Sequence, residues 1–262
     1  REKIINTPFV DLKAQYQSIK SEIDLAVQNV INDVSFIGGE YVGKFKNDFT
    51  NAYGVKHCIS CANGTDAIYI SLKALGIGPG DEVITVANSW ISTSETITQA
   101  GATPVFVDID PDYYTINVNK IEEKITTKTK AIIPVHLFGQ PCDMDTLTAI
   151  CNKHNLLLIE DCAQAHFAEW KGKKVGTMGV AGTFSFFPGK NLGAYGDAGA
   201  IISNNDEFAK KARMFANHGA LIKHKHEMEG INSRLDGIQA AILSVKLKYI
   251  MEWNEKRLQN SL

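Results

Sequence analysis

No run of apolar residues in this chain approaches the roughly 18 that a membrane-spanning helix requires, and the opening Arg1-Glu2-Lys3 leads into no signal-peptide core. A cytoplasmic protein without a membrane partner is therefore expected. Charge of neither sign dominates: 27 Lys and Arg stand against 29 Asp and Glu, a net of −2. No broad basic field exists to hold nucleic acid or an anionic surface, so the expected partner is a small molecule. Cysteine is sparse and odd in number. Cys58, Cys61, Cys142, Cys151 and Cys162 are dispersed through 262 residues, which excludes a disulfide scaffold and leaves reduced thiols. Internal repeats, low-complexity tracts and linkers rich in proline, glycine and serine are missing too, so one continuous domain should fill most of the chain. With 44 % hydrophobic and 21 % charged residues, disorder is excluded as the whole story.

What is present alternates. Leu12, Tyr16, Ile19, Ile23, Val27 and Val30 recur at the threes and fours of an amphipathic helix that Gly38-Gly39 ends, and Tyr41, Phe45, Phe49 and Tyr53 repeat the pattern. Short apolar runs then predict strands over 56–61, 82–87, 104–108, 131–136, 156–160, 182–187 and 198–203, with helical patterns in most gaps. Runs such as Ala131-Ile132-Ile133 and Leu156-Leu157-Leu158-Ile159 suit strands covered on both faces, hence an α/β fold with a central, mostly parallel, seven-stranded sheet flanked by helices. From Asp236 the spacing of Ile238, Ala241, Ile242, Val245, Leu247, Tyr249, Ile250 and Trp253 predicts a long helix running almost to Leu262.

Ligands of such sheets bind beyond the carboxyl ends of the strands, which directs attention to the polar residues that follow each apolar run. Asn63-Gly64-Thr65-Asp66 opens a helix and is either an ordinary cap or an anion site built from free N–H groups and a hydroxyl. Asp161, in Glu160-Asp161-Cys162-Ala163-Gln164-Ala165-His166, is either a turn aspartate or a carboxylate aimed at a ring nitrogen. Lys190 stands alone among apolar and glycine residues in Phe184-Ser185-Phe186-Phe187-Pro188-Gly189-Lys190-Asn191-Leu192-Gly193. It is either a surface charge or an amine made nucleophilic by reduced solvation.

These two stretches, with Asn63-Gly64-Thr65-Asp66-Ala67, Gly78-Pro79-Gly80-Asp81-Glu82-Val83 and Asn232-Ser233-Arg234-Leu235-Asp236, resemble the DegT/DnrJ/EryC/StrS family of sugar aminotransferases over essentially the whole chain. The resemblance implies the aspartate aminotransferase fold, fold type I, with pyridoxal 5'-phosphate as cofactor. It implies that Lys190 is the Schiff-base lysine, that Asp161 keeps the pyridine nitrogen protonated, and that Gln164 bonds the ring hydroxyl. Gly64, Thr65, the Asp66 amide and Ser185 would receive the phosphate, and Trp90 would stack on the ring, although taken alone it reads as a core aromatic. Asn232 would reach the phosphate from a neighbouring subunit, making a homodimer with a composite active site. Phe167 departs from the pattern, standing where the family commonly has glycine, and so does Ala198 after Asp197.

The implied reaction moves an amino group from glutamate or glutamine to a nucleotide-linked keto-deoxysugar, in the making of surface polysaccharides or glycosylated metabolites. The alternatives are a cyclic ketone acceptor and a non-catalytic regulatory protein on the same scaffold. Residues 1–240 would form the large cofactor-binding domain, and 241–262 the end of a helix leading to a small C-terminal domain absent from this sequence. No metal site is expected. Cys58-Ile59-Ser60-Cys61 has redox or zinc spacing, but on a strand its thiols face opposite sides. Gly76-Ile77-Gly78-Pro79-Gly80 follows a helix and precedes a strand, the reverse of a dinucleotide loop. His224 and His226 suit a solvated loop or an anion contact.

Overall fold

The structure, a computed structural model, describes residues 10–261; Arg1-Glu2-Lys3 and Leu262 lie outside them. Seven strands build the central sheet: β1 (His57–Cys61), β2 (Glu82–Val86), β3 (Thr103–Val107), β4 (Thr129–Ile133), β5 (Leu157–Asp161), β6 (Ala181–Ser185) and β7 (Gly199–Ser203). Their order is β1-β7-β6-β5-β4-β2-β3. Strands β2 to β6 pair in parallel, and β7 alone runs antiparallel to its two neighbours. The ends differ from the predicted ones by at most three residues, the largest gap being at β4, which stops at Ile133. Pro134 has no N–H to continue that ladder, though its carbonyl accepts from Asp161 N at 3.0 Å.

The period of two along each strand divides the core. Ile59, Ala131, Ile133, Ile159, Ala181 and Ile201 pack under α4 (Gly64–Ala74), α5 (Ser92–Gln99) and α7 (Asp206–Ala216). On the opposite face Phe184, Ala200 and Ile202 meet α3 (Gly39–Tyr53) and α8 (Gly237–Leu247), while Ile84, Ile132 and Leu158 meet α6 (Met144–His154). Cys58 and Cys61 fall in different clusters, and burial pushes the Cys58 thiol up to about 12, leaving it protonated.

Both long helical patterns are interrupted. The first divides at Ile19 into α1 (Leu12–Ser18) and α2 (Lys20–Asn32), because Ile19 turns out of helical geometry (φ −128°, ψ 19°) to bury itself with Ile23 against Ile242 and Val245. The last divides after α8 at Lys248-Tyr249, where the bonds tighten to Tyr249 N→Lys246 O at 3.0 Å before α9 (Ile250–Ser261) begins. Glu22 of α2 fastens that joint, accepting from Lys248 Nζ at 2.8 Å and from the Tyr249 hydroxyl.

Candidate active site

Strand parity decides what reaches the carboxyl ends. Asp161 shares the face of Ile159 and Ser185 that of Ala181, so both point toward the layer containing α4 and α5; Glu160 points the other way. Helix α4 starts directly after β1, with the Asn63 side chain accepting from Asp66 N at 2.8 Å as N-cap. The Asp66 amide, predicted to face phosphate, is thus occupied. Among the described residues the Gly64 and Thr65 N–H groups have no partner, as expected of the first turn of a helix. Ser185 closes against them so tightly that a Cβ on Gly64 would lie 2.6 Å from Ser185 Cβ. The Ser185 hydroxyl accepts from Phe187 N at 3.3 Å, the Thr65 hydroxyl pairs with Ser92 Oγ at 2.7 Å, and Ser233 Oγ donates to Asp66 at 2.6 Å.

Beside this cradle Asp161 is almost wholly buried. Its carboxylate accepts from Ala163 N at 3.1 Å and Thr93 Oγ1 at 3.0 Å. Burial raises it above the ordinary carboxylate value, and these two donors, with the nearby Lys190 charge, oppose the rise. Lys190 stands in the loop between β6 and β7, its backbone N donating to Phe187 O at 2.8 Å. Burial lowers the affinity of its amine for the proton while Asp161 raises it, and among the described residues Nζ has neither hydrogen bond nor ion pair.

Gln164 and Lys190 line an open cleft of about 800 Å³ bounded by α1 and α9. Gln164 Oε1 accepts from Phe138 N at 2.9 Å. Trp90 is 75 % exposed on the turn into α5, two and three residues ahead of Ser92 and Thr93. Asn232 is also exposed, its backbone bridged to Asn217, and its side chain bonds none of the other predicted site residues. The structure therefore brings Gly64, Thr65 and Ser185 together as one group and Asp161 and Lys190 as another, and leaves Trp90 and Asn232 on the surface. Sequence reading missed Thr93, Ser92 and Ser233; their one signal is a cluster of hydroxyls just beyond a strand end or before a helix.

Phe167 lies at φ +64°. Its ring stacks on Tyr53 with centroids 4.5 Å apart, and its N–H donates to the Tyr53 hydroxyl at 2.8 Å. Behind the site His136, Glu160 and Cys162 lie close enough to suggest metal ligands. The lone pairs of two of them are spent otherwise: Glu160 accepts from the N–H groups of Gly176, Met178 and Gly179 and from His136 Nε2, and His136 Nδ1 accepts from Cys142 N. They form a tie between loops. His224 and His226 are exposed on a short hairpin away from the cleft.

Residues 17–261 match the profile of the DegT/DnrJ/EryC1/StrS aminotransferase family. A protein of Geobacillus stearothermophilus named as a pleiotropic regulatory protein is 50 % identical over 257 residues, 98 % of this chain and 69 % of its own length. A UDP-N-acetyl-3-dehydro-alpha-D-glucosamine 3-aminotransferase of Acidithiobacillus ferrooxidans is 44 % identical over 95 % of this chain and 68 % of its own. Among solved structures, Streptomyces venezuelae DesV in complex with a ketimine intermediate matches with a TM-score of 0.94 at 40 % identity, over 96 % of this chain and 68 % of that one.

Proposed function

The chain belongs to the DegT/DnrJ/EryC1/StrS aminotransferase family, and on that premise we propose that it aminates the keto group of a nucleotide-linked deoxysugar with glutamate or glutamine as donor. The family's enzymes depend on pyridoxal 5'-phosphate, and the residues present suit that group. Two unpartnered N–H groups at a helix start, a serine hydroxyl with its hydrogen still to donate, and a glycine that leaves no room for a Cβ make a cradle for a phosphate dianion. Gly64, Thr65 and Ser185 would hold the phosphate, Asp161 the ring nitrogen, Gln164 the ring hydroxyl and Lys190 the aldehyde carbon. When bound, the cofactor supplies an electron sink that lets the proton on the substrate carbon be removed by an ordinary base.

The protein's share is proton handling. Asp161 would hold a proton at the ring nitrogen, and the Thr93 hydroxyl and Ala163 N–H fix the direction of its carboxylate. Lys190 Nζ, more readily neutral through partial desolvation and left free of partners, would take the proton from the substrate carbon and deliver it to the carbon on the far side of the transferred nitrogen. The observation that carries the proposal is this unpaired amine beside a buried carboxylate. Reduction with borohydride after addition of pyridoxal phosphate, then peptide mapping, should place the label on Lys190. A label elsewhere, or none, defeats the proposal.

The regulatory name of the Geobacillus relative keeps a second reading in view. Lys190→Ala separates the two, because a regulator keeps its biological effect without the amine and an aminotransferase does not. The proposal extends to a cytoplasmic homodimer: exposed Trp90, Ile91 and Phe187 beside the site are apolar surface of the kind a second copy covers. No helix among the described residues is long and apolar enough to cross a membrane.

A further inference from the structure

The cleft beyond Lys190 has a wall that the proposed chemistry does not use. Helix α9 is pinned there by Asn254, whose side chain accepts from Asn191 Nδ2 at 2.8 Å and donates to His166 O at 2.9 Å. One helical turn on, and so on the same side of α9, comes Arg257, which lines the cleft with Lys190, Lys256 and Gln164. The cations there are unequally engaged. Lys256 is paired with Glu252 four residues away. Arg257 has no carboxylate and no hydrogen-bond acceptor among the described residues, although part of its length is desolvated. The one acid on the cleft wall, Asp11, already accepts from Ala14 N at 2.8 Å as the cap of α1. A guanidinium thus faces a cavity of about 800 Å³ with its fork of donors unspent, one turn from the neighbour of the reactive lysine.

We propose that Arg257 is an anion anchor of the cleft, binding a carboxylate or phosphate oxygen pair of a substrate while the reacting carbon sits at Lys190. The inference rests on the aminotransferase reading and adds the means of grip. Both substrates in that reading are anionic, the donor through carboxylates and the acceptor through its diphosphate, and they use Lys190 in turn. The shared chemistry is a pair of anionic oxygens carried on one atom, which a guanidinium holds by two parallel hydrogen bonds and an ammonium does not.

The test compares wild type, Arg257→Gln and Arg257→Lys as cofactor-loaded proteins, by calorimetric titration with glutarate and with inorganic pyrophosphate, and by KM for donor and for acceptor. Loss of a charge-assisted, two-point contact should weaken binding about 10- to 100-fold, with Arg257→Lys recovering only part. Weakening confined to glutarate and donor KM identifies the carboxylate as the anchored group. Weakening confined to pyrophosphate and acceptor KM identifies the phosphate, and weakening of both a shared anchor. Affinities and both KM values within twofold of wild type in Arg257→Gln overturn the inference. Failure of the wild-type protein to take up the cofactor at Lys190 overturns the aminotransferase reading instead, so the two failures are distinguishable.

Discussion

Phe167 offers a prediction whose sign runs against the usual rule. At φ +64° its backbone is in the left-handed region, where a side chain costs about 1–2 kcal/mol. The ring compensates by burying itself, 8 % exposed, against Tyr53 at 4.5 Å and Phe49 at 6.2 Å. Phe167→Ala removes the ring and keeps the strain, so it should cost about 3–5 kcal/mol. Phe167→Gly removes both. Glycine is ordinarily worse than alanine by roughly 0.5–1 kcal/mol through its greater freedom when unfolded; subtracting that from the strain released leaves the glycine variant ahead by up to about 1.5 kcal/mol. Both keep the hydrogen bond from residue 167 N–H to Tyr53, so it cancels. Urea denaturation followed by circular dichroism measures the order directly. If the alanine variant proves the more stable, positive φ does not govern this position, and the reasoning fails.

Other expectations follow from single contacts. Gly64→Ala must force Ser185 away, since the new Cβ would lie 2.6 Å from Ser185 Cβ and 3.1 Å from its Cα; cofactor affinity should fall at least about tenfold in a fluorescence titration, with a stability loss of about 1–3 kcal/mol. Glu160→Gln replaces two acceptor oxygens that together receive three backbone N–H groups and His136 by one acceptor and one donor; a loss of about 3 kcal/mol in thermal or urea unfolding is expected, and less than about 1 kcal/mol would show that the tie is not structural. Lys246, 1 % exposed, bonds Gly193 O at 2.6 Å and lies over the Tyr195 ring, and burial lowers it from 10.5 to about 8. The unfolded chain binds the extra proton between those values, so this group makes stability rise with pH across about 8 to 10.5, by up to about 3 kcal/mol. Lys246→Met should flatten that rise relative to wild type in urea midpoints taken at pH 7.5, 9 and 10, and identical slopes would refute the assignment.

The strands were legible because each is a short apolar run bounded by a polar turn, and covering both faces of a parallel sheet leaves no other use for Ala131-Ile132-Ile133. The helix breaks at Ile19 and at Lys248-Tyr249 were not legible. In both places the apolar period continues through the break, and only tertiary partners, Ile242 for one and Glu22 for the other, decide where the helix stops. Much the same division holds at the site. Isolation and position after a strand marked Lys190 and Asp161 only as candidates, which the family resemblance then separated from a surface charge and a turn aspartate, whereas Thr93 matters only because β2 and β5 end at the same level, a fact of strand order that local sequence does not contain. The Asp66 amide shows the converse: Asn63, named in the same motif, uses the donor that the motif seemed to offer.

The single reversed strand, β7, has a kinetic meaning. A further parallel strand after β6 would carry the chain from Lys190 to the opposite end of the sheet. Running backwards, β7 instead brings it down beside the strand it has just left, and Phe186 N→Ala198 O at 2.8 Å seals the neck. Lys190 therefore hangs from a suspension anchored at both ends to adjacent strands, with Asn254, Gln239 and Lys246 as stays. A reagent mounted in that way can be carried from one atom to the next by rotation about side-chain bonds, in picoseconds to nanoseconds, without waiting on the microseconds of a loop excursion. The reach of Lys190 from one atom to the next is then not what limits the turnover of such an enzyme.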